Sequence, residues 1–529
     1  MRQARLRRAF GRPGRDGRSG MSISLDDSGD DALSIPVWLR GLTASFGPKT
    51  CVVAESESLS FAEVDRRSDA LARGLLARGI GKGTRVGLLF GNGTDWVVWW
   101  AATEKIGALC IPLSTFSRSA ELARVVCHAD LHLLAASRSF LDRDFVKLVA
   151  EAFPGLSSAP SPWLALTEAP YLRTVVFDGP GPGWSRDVDW IVSGGLDDRW
   201  RQILDQAQHE VHPDDEALCI YTSGQSADPK GALFTHRAII EKTYYLRDMF
   251  GFTETTVTDV TLPFFWVGGL VMALFPTMAV GGMTRCTQRS TLGSNAVIRD
   301  RATGSASSAT ALPGMQLVPS LGMTETFGMY SWGTELPSGP YSIAAPLDVF
   351  QPGFEVRLCE DQKSYDDGRG AGELLVRGPT LTTRLHKVSR RAVFDADGFY
   401  RTGDLAVRDD TGRLRFVGRT NDIIKTSGAN VSPVEVEREM NIIEGVEIAH
   451  VVGLPDADRG QLVAAAVVPV AGAHLTEESI KDVLRDRLSP FKVPRVVVFL
   501  ESPADVPMTP SSKVRKRDLV ELIESLRPE

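Results

Sequence analysis

The sequence predicts an α/β protein with a large N-terminal domain of layered sheets and helices and a small α+β C-terminal domain. The chain has 529 residues, which is more than a single hydrophobic core organises. From about residue 35 to 200 helical patterns alternate with short β-rich runs, as in sheets covered by helices. The last hundred or so residues form a compact pattern of their own. We therefore expect a disordered extension over 1–30, a large domain over 31–418 and a small domain over 419–529.

The elements of the large domain follow from apolar spacing. Residues 60–80 have a helical period, and residues 85–92 read as a buried strand that ends in a turn. Residues 95–113 read as a helix followed by a strand. After about residue 340 the sequence predicts short strands separated by turns, at 354–360, 372–379 and 414–418.

The small domain is predicted to begin with two strands and to end with a basic tail helix. The strands cover 447–454 and 461–470, and a third strand covers 495–500. Thr476 is a plausible N-cap of the intervening helix, because Glu477 and Glu478 then lie in its first turn.

Composition excludes several classes of protein. The net charge of −7 gives no overall basic field for nucleic acid. Six scattered cysteines without a CxxC pair indicate reduced core thiols in a cytoplasmic protein. Residues 262–283 are uncharged and long enough to span a membrane, but Pro263, Pro276 and two Gly-Gly pairs favour a buried helix with flanking turns. We expect no transmembrane segment.

The stretch "YTSGQSADPKG" at 221–231 has the parts of a phosphate-binding loop. Hydroxyls, exposed backbone N–H groups and a lysine suit a polyphosphate. A Walker loop would need glycine before the lysine and Ser or Thr after it, where this chain has Pro229 and Gly231. Taken alone, the stretch is more often a polar turn between a strand and a helix.

Four further motifs follow in order along the chain. They are "GMTET" (322–326), "YRTGD" (400–404), "GRTNDIIKTSGANVSPVEVE" (418–437) and "PMTPSSKVRKRDL" (507–519). From about residue 35 to its end, the chain resembles the adenylate-forming enzymes, which include acyl-CoA synthetases, firefly luciferase and the adenylation domains of peptide synthetases. The resemblance implies that the small domain is mobile and turns between two half-reactions.

The resemblance also assigns residues to tasks. Contacts to ATP fall to Thr222, Ser223, Gly224, Gly322, Asp404 and Arg419. Catalysis falls to Lys230, Thr324, Glu325 and Lys513, with Glu325 holding Mg²⁺. The hinge and the tunnel for the CoA thiol fall to Asn421, Lys425 and Gly428. The substrate pocket is expected at Trp266, Gly268 and Gly269.

These residue types suit the implied chemistry. Joining a carboxylate to AMP brings two anions together, so fixed cations must offset their repulsion as charge builds on the leaving pyrophosphate. A lysine fits because it is a compact charge on a flexible stem. Thioester formation needs other groups at the same place, which the family supplies by rotating its small domain.

The chain departs from the family pattern in several places. Gln225, Ser226 and Ala227 replace the usual Thr-Thr-Gly of the phosphate loop, and Leu321 replaces an aromatic residue that stacks on adenine. Only 52 residues separate Gly269 from Gly322, roughly half the span that the resemblance implies. Because the Ser/Ala-rich stretch there offers little apolar surface, we expect residues 285–320 to be irregular or mobile and ATP binding to be weak.

The sequence therefore predicts an AMP-forming acyl-CoA synthetase that uses ATP, Mg²⁺ and CoA. A fatty or other apolar carboxylic acid is the expected substrate, since no acidic residue for an amine lies near "PFFWVGG". One alternative is a fatty-acyl-AMP ligase that loads an acyl carrier protein, which discharge to CoA or to a carrier would distinguish. Another is a non-catalytic acyl- or adenylate-binding relative, which would bind an acyl-AMP analogue without turnover.

Overall fold

The computed structural model describes most of the chain after residue 32. The described residues are 33–55, 57–159, 161–222, 229–287, 297–300, 306–308, 320–333, 346–347, 349–359, 372–408, 412–419, 424–427, 429–431, 433–508 and 514–527. The expected N-terminal extension lies outside them, so its disorder stays a prediction.

Helices occupy the positions that the apolar spacing predicts, including 60–80, 95–113 and the region after Thr476. They are α1 Ile35–Phe46, α2 Phe61–Ala77, α3 Thr94–Lys105, α4 Ser119–His128, α5 Phe145–Ala152, α6 Val188–Gly194, α7 Arg199–His209, α8 His236–Met249, α9 Val267–Gly269, α10 Phe275–Ala279, α11 Arg390–Val393, α12 Pro433–Asn441, α13 Glu477–Arg487 and α14 Lys516–Leu526.

Two of these helices begin at local signals in the sequence. At the start of α2, Ser60 Oγ accepts from the Glu63 N–H at 3.2 Å and the Glu63 carboxylate accepts from the Ser60 N–H at 2.8 Å. This reciprocal pair satisfies N–H groups that have no partner within the helix. Thr476 caps α13 in the same way, because its hydroxyl accepts from the Ser479 N–H at 3.1 Å. The predicted N-cap at Thr476 is confirmed.

The strands of the large domain come in two runs. The first run is β1 Thr50–Val53, β2 Ser58–Ser60, β3 Arg85–Leu89, β4 Leu109–Pro112, β5 Leu133–Ala136, β6 Ser139–Phe140, β7 Arg143–Asp144, β8 Thr174–Phe177, β9 Arg186–Asp187, β10 Glu216–Thr222, β11 Lys230–Thr235, β12 Thr256–Val260, β13 Met283–Cys286, β14 Val297–Asp300 and β15 Ala306–Ser308. The second run is β16 Ser320–Met323, β17 Gly328–Trp332, β18 Pro346–Leu347, β19 Val349–Phe350, β20 Glu355–Cys359, β21 Gly372–Arg377, β22 Arg384–Leu385, β23 Tyr400–Arg408 and β24 Leu414–Arg419.

Two sheets form the first half of the large domain, and each contains a run of parallel strands. One sheet has the order β22-β11-β10-β4-β3-β5-β8-β9, and β4, β3, β5, β8 and β9 pair in parallel. The other has the order β15-β14-β12-β13-β1-β2, with β12, β13 and β1 parallel. Parallel neighbours require crossover connections, and the helices between these strands supply them. The predicted α/β class with layered sheets is confirmed.

One hydrophobic core joins the two sheets. It contains Val52 and Val260 from one sheet, Val86 from the other, and Trp100 and Ile239 from the helices α3 and α8. The opposite face of the longer sheet is covered by α4 and α5, whose buried side chains pack with those of β5 and β8. Both faces of this sheet are therefore buried, which explains its nearly continuous apolar strands.

Shorter antiparallel sheets follow, in the orders β16-β17-β19 and β18-β24-β23-β21-β20. Residues Leu321 and Tyr330 of the first share a core with Leu374, Tyr400 and Ala406 of the second. The two sheets therefore pack together, which brings the "GMTET" and "YRTGD" motifs into one part of the molecule.

The C-terminal region has a sheet of its own. Its strands are β25 Ile424–Thr426, β26 Ala429–Val431, β27 Val446–Asp456, β28 Gly460–Pro469 and β29 Val496–Phe499, with β29 parallel to β28. Val451 and Val463 point into a core with α12 and α13, while Val452 and Ala464 point into another core with α14. This alternation is the period of two expected for a strand covered on both faces.

The structure places the start of this region after the predicted residue 419. Arg419 is the last residue of β24 and lies opposite Asp404 of β23, in the sheet of the large domain. The strands of the C-terminal sheet begin at Ile424.

The apolar segment 262–283 is broken and buried. A π-helical turn, Leu270–Leu274, separates the short helices α9 and α10, and its residues Leu270, Val271 and Leu274 are fully buried. No helix within the described residues is both long and apolar enough to cross a membrane.

The stretch 285–320 contains two described strands. β14 pairs antiparallel with β12, and β15 pairs antiparallel with β14. The expectation of irregular backbone is therefore wrong over 297–300 and 306–308. The intervening residues of this stretch lie outside the described ones.

A carboxyl group and an imidazole are buried together beneath α1. Glu104 and His236 are both fully buried, and Glu104 Oε2 lies 3.6 Å from His236 Nδ1, which also accepts from the Ile35 N–H at 3.3 Å. Burial raises the pKa of Glu104 well above 4.5 and lowers the pKa of His236 to about 3. Both groups are therefore held in their neutral forms at physiological pH.

We predict that Glu104→Gln raises the free energy of unfolding by an amount that grows with pH. Above pH 4.5 the unfolded chain ionises Glu104 while the folded chain keeps it protonated, so stability is lost as pH rises towards the folded pKa. The neutral amide removes this loss, which is at most about 1.4 kcal/mol per pH unit. Urea unfolding at several pH values between 5 and 8 measures it, with the exposed Glu151→Gln as control. A gain that does not vary with pH would contradict the prediction.

Candidate active site

The stretch 221–231 joins two antiparallel strands of the longer sheet. β10 and β11 pair so that Thr222 lies opposite Lys230 and Tyr221 lies opposite Gly231. A Cβ at Gly231 would come within 2.7 Å of Cys219 Sγ and 2.9 Å of the Tyr221 ring, so only glycine fits there. The predicted residues Ser223 and Gly224 lie outside the described residues. The pairing nevertheless brings both ends of the loop, with Lys230, to one point.

The "GMTET" motif forms a tight turn between β16 and β17. Residues Thr324–Thr326 make a single 3₁₀ turn, which ends at Phe327 with a left-handed φ of 53°. Thr326 Oγ1 accepts from the Met323 N–H at 3.2 Å and lies 2.6 Å from the Gly328 carbonyl oxygen. A Cβ at Gly322 would lie 2.6 Å from Met329 Cα, so the two strands approach too closely for any other residue.

The Glu325 side chain is free to bind a ligand. Its carboxylate makes no hydrogen bond or ion pair with the described part of the chain, whereas its backbone carbonyl accepts from the Thr382 N–H at 2.7 Å. A carboxylate held by its backbone and without a partner among the described residues suits a hard cation such as Mg²⁺, which prefers oxygen ligands.

Thr382 connects the turn to the strand that carries Lys230. Its hydroxyl accepts from the Leu233 N–H of β11 at 3.0 Å, while its own N–H binds Glu325, and the residue is 2% exposed. This residue could not be found from the sequence, because nothing in "PTLTTRLH" distinguishes one threonine from its neighbours. The structure shows that Thr382 joins the "GMTET" turn to β11, the strand that begins at Lys230.

We predict that Thr382→Val lowers the free energy of unfolding by about 1–3 kcal/mol, because the buried Leu233 N–H loses its acceptor. Thr382→Ser is the matched control. It keeps the hydroxyl and removes one methyl group, so it should cost no more than about 1 kcal/mol. Equal losses in the two variants, measured by urea unfolding, would show that the hydroxyl is unimportant.

The residues that follow the "GMTET" turn lie against the apolar segment 262–283. A Cβ at Gly328 would lie 2.9 Å from Val271 Cγ2 and 3.6 Å from Val267 Cγ1, and the buried Phe327 ring lies 4.7 Å from that of Phe234 in β11. At Gly269 a Cβ would lie 2.2 Å from the Pro263 carbonyl oxygen, while at Gly268 the nearest atom would be Leu262 Cδ1 at 3.2 Å. The structure therefore brings the apolar segment, the end of the turn and the Lys230 strand into one region.

Trp266 belongs to an aromatic cluster at the edge of this site. Its ring centroid lies 5.5 Å from Phe265, 6.0 Å from Phe116 and 6.2 Å from Phe491. We call Phe116, Phe265 and Trp266 the aromatic wall. The sequence analysis identified Trp266 but missed Phe116 and Phe491, which are distant in the chain.

Asp404 and Arg419 lie directly opposite one another in the register of β23 and β24. Asp404 is fully buried, and its N–H donates to Thr402 Oγ1 at 3.0 Å. Leu321, in the place of the usual adenine-stacking aromatic residue, is 8% exposed and packs in the core beneath these strands.

The hinge and tail residues are described only in part. Lys425 lies in β25 with an exposed side chain, and its N–H donates to Gln461 Oε1 at 2.8 Å. Ser427, two residues further along the chain, has a left-handed φ of 51°. Asn421, Gly428 and Lys513 lie outside the described residues, so their roles stay predictions.

Comparison with known proteins identifies the family. The AMP-binding enzyme family matches residues 43–315, and the AMP-binding enzyme C-terminal domain matches residues 435–513. The chain belongs to the AMP-binding enzyme family. It is accordingly an ATP-dependent, AMP-forming ligase, which confirms the resemblance drawn from the motifs.

Several relatives of this AMP-binding enzyme are acyl-CoA ligases. It is 24% identical to an acyl-CoA ligase of Aspergillus fumigatus, over 88% of this chain and 87% of the relative. It is 26% identical to a long-chain-fatty-acid–CoA ligase of Mycobacterium tuberculosis, over 93% of this chain and 99% of the relative. Its fold matches the amide bond synthetase of Marinactinospora thermotolerans with a TM-score of 0.70 and 23% identity, over 92% of this chain and 99% of the other.

Proposed function

We propose that this AMP-binding enzyme is an acyl-CoA synthetase that activates a fatty or other apolar carboxylic acid. The supporting observation is the aromatic wall of Phe116, Phe265 and Trp266 at the edge of the site. Such a surface favours an apolar acyl chain, because burying apolar area is the main source of its binding energy. No acidic residue stands in "PFFWVGG" to hold the amine of an amino acid.

Adenylate formation requires the carboxylate to attack the α-phosphate of ATP. In our proposal Lys230 offsets the charge of the outer phosphates, and Thr324 bridges the carboxylate and the α-phosphate. Lys513 reaches the substrate carboxylate and the bridging oxygen. Mg²⁺ held by Glu325 would neutralise charge on the leaving pyrophosphate. Thr222, Ser223, Gly224 and Gly322 would line the phosphate and nucleotide site, with Asp404 and Arg419 at the ribose.

The second half-reaction would transfer the acyl group to the thiol of CoA. Rotation about Asn421 would withdraw Lys513 and bring the loop that contains Lys425 and Gly428 to the site. Ser427 adopts a left-handed φ within this loop, a conformation that glycine adopts more readily. CoA is the acceptor that the relatives' activities favour, and a carrier protein's phosphopantetheine arm is the alternative.

Carboxylate-dependent pyrophosphate release tests the proposal. We expect release with straight-chain acids such as octanoate, little release with glycine or malonate, and conversion of the adenylate to a thioester on adding CoA. Discharge to a phosphopantetheinylated carrier protein but not to CoA would favour the alternative. Binding of an acyl-AMP analogue without pyrophosphate release would favour a non-catalytic relative.

The shortened segment 285–320 bears on the affinity for ATP. We keep the prediction of weak ATP binding, since much of this segment's counterpart would line the nucleotide and acyl sites in the family. Calorimetric titration with a non-hydrolysable ATP analogue measures the affinity, and micromolar binding would contradict the prediction.

A further inference from the structure

A buried ionic cluster crosses the boundary between the large domain and the C-terminal domain. Lys492 Nζ donates to Glu121 Oε1 at 2.8 Å and to Glu435 Oε1 at 3.0 Å, and Ser489 Oγ donates to Glu121 Oε2 at 2.7 Å. All four residues are at most 8% exposed. Glu121 lies on α4 of the large domain, while the other three belong to the C-terminal domain.

Glu121 and Lys492 form a buried ion pair. Burial works to raise the pKa of Glu121, but the charge of Lys492 and hydrogen bonds from Lys492, Arg118 and Ser489 hold that pKa below its usual value. Burial likewise works to lower the pKa of Lys492, and the two carboxylates raise it above its usual value. A charge pair buried this deeply is costly to leave half-formed, so it specifies one relative placement of the two domains.

The bonds are arranged so that the domains can separate. If the C-terminal domain moves away, Lys492 keeps Glu435 within its own domain. Glu121 Oε2 keeps the Arg118 N–H at 3.0 Å, the capping contact of α4. Each charged group therefore retains one partner on its own side of the boundary. Docking makes the Glu121 contacts, together with the ion pair between Arg124 of α4 and Glu439 of α12 at 3.4 Å.

The segment tied by this cluster also reaches the aromatic wall. Phe491 lies between Ser489 and Lys492, and its ring centroid is 6.3 Å from Phe116 and 6.2 Å from Trp266. The ring is part-buried and its other side borders a small cavity lined by Thr426, Ser427 and Arg459. Phe491 is thus an apolar side chain of the C-terminal domain placed against the large domain's acyl-pocket residues.

We propose that Phe491 is a specificity-determining residue which the C-terminal domain contributes to the acyl pocket, and that the Glu121–Lys492 pair positions it there. The inference deepens the proposed function and rests on it. The length or bulk of acid that the enzyme accepts would then depend on the docked placement of the C-terminal domain, and Glu121 would act as a positioning residue through Phe491.

The test compares acyl-chain selectivity in three variants, using butyrate, octanoate and palmitate. Phe491→Ala should change the ratio of kcat/KM for long and short acids by about tenfold or more, because it enlarges an apolar pocket. Glu121→Gln, which breaks the contact across the boundary, should shift the ratio in the same direction. Glu435→Gln is the matched control, since it removes a carboxylate from the same lysine without crossing the boundary, and it should leave the ratio unchanged.

Hydrogen exchange gives a readout that does not need turnover. Glu121→Gln should speed exchange in peptides covering α4 and residues 489–495, and Glu435→Gln should leave α4 unchanged. If Glu121→Gln does not fold, Ser489→Ala removes only one bond to Glu121 and should give the same shifts at smaller size.

An unchanged selectivity ratio in Phe491→Ala would overturn the assignment of Phe491, and an unchanged ratio and exchange in Glu121→Gln would overturn the role of the pair. Absence of acid-dependent turnover in the unaltered enzyme would instead overturn the proposed function, leaving the exchange result to judge the contact.

Discussion

Lys513→Ala should slow adenylate formation by about 10²–10³-fold while leaving thioester formation from supplied acyl-adenylate nearly unchanged. The reason is that the proposed lysine acts on charge that develops only in the first half-reaction, and loss of one such fixed donor costs roughly 3–4 kcal/mol of transition-state stabilisation. Single-turnover measurements of each half-reaction separate the two effects.

Arg517→Ala is the control for this variant, because Arg517 belongs to the same basic tail and its side chain is 91% exposed. It should leave both half-reactions unchanged. Equal slowing of the two half-reactions by Lys513→Ala would show that the tail lysine has another task.

Glu325→Gln should reduce adenylate formation by about 10²-fold or more and should raise the Mg²⁺ concentration needed for half-maximal rate. A neutral amide keeps the shape of the side chain but loses the charge that would hold the cation. The turn itself should survive, since its hydrogen bonds use the Glu325 backbone and Thr326 rather than the Glu325 carboxylate. The rate is measured as pyrophosphate release across a Mg²⁺ titration.

Glu325→Asp offers a graded comparison, because it keeps the charge on a shorter stem and should lose less activity than the amide. Thermal unfolding of each variant checks that the turn is intact. A loss of rate with no change in the Mg²⁺ dependence would contradict a metal-binding role for Glu325.

The periodicity of apolar residues in the sequence was sufficient to predict the regular helices and strands. The helices α2 and α3 and the cap at Thr476 follow from local patterns that act over a few residues. The order of the motifs was sufficient for the family. These features are encoded locally or in motifs whose spacing survives in a single sequence.

Contacts between residues that are distant in the chain could not be predicted from periodicity or motif order. Thr382 forms hydrogen bonds with Leu233, which is 149 positions away, and with Glu325, which is 57 positions away. Phe491 contacts Trp266 across a domain boundary. Neither residue has an unusual neighbourhood in the sequence. The strand at 306–308, "ASS", was missed because its local propensity for a strand is weak, and pairing with β14 supplies what its side chains do not.

The two buried pairs, Glu104–His236 and Glu121–Lys492, could not be predicted from the sequence either. Glu104 and His236 would each be read from sequence as surface residues, because carboxylates and imidazoles are seldom fully buried. Their burial follows from the packing of α1 over α3 and α8, which no local pattern reveals. The burial of Glu121 and Lys492 is likewise not revealed by a local pattern, because these two residues lie on separate domains.

The measurement that tests the central claim most directly is ATP–pyrophosphate exchange driven by a carboxylic acid in the absence of CoA. It reports reversible adenylate formation and does not depend on the identity of the acyl acceptor. We expect exchange with octanoate or a longer straight-chain acid that is abolished by Glu325→Gln and by Lys513→Ala. Exchange that is absent with every apolar acid tested, or that persists unchanged in both variants, would contradict the proposed activation of an apolar carboxylate at this site.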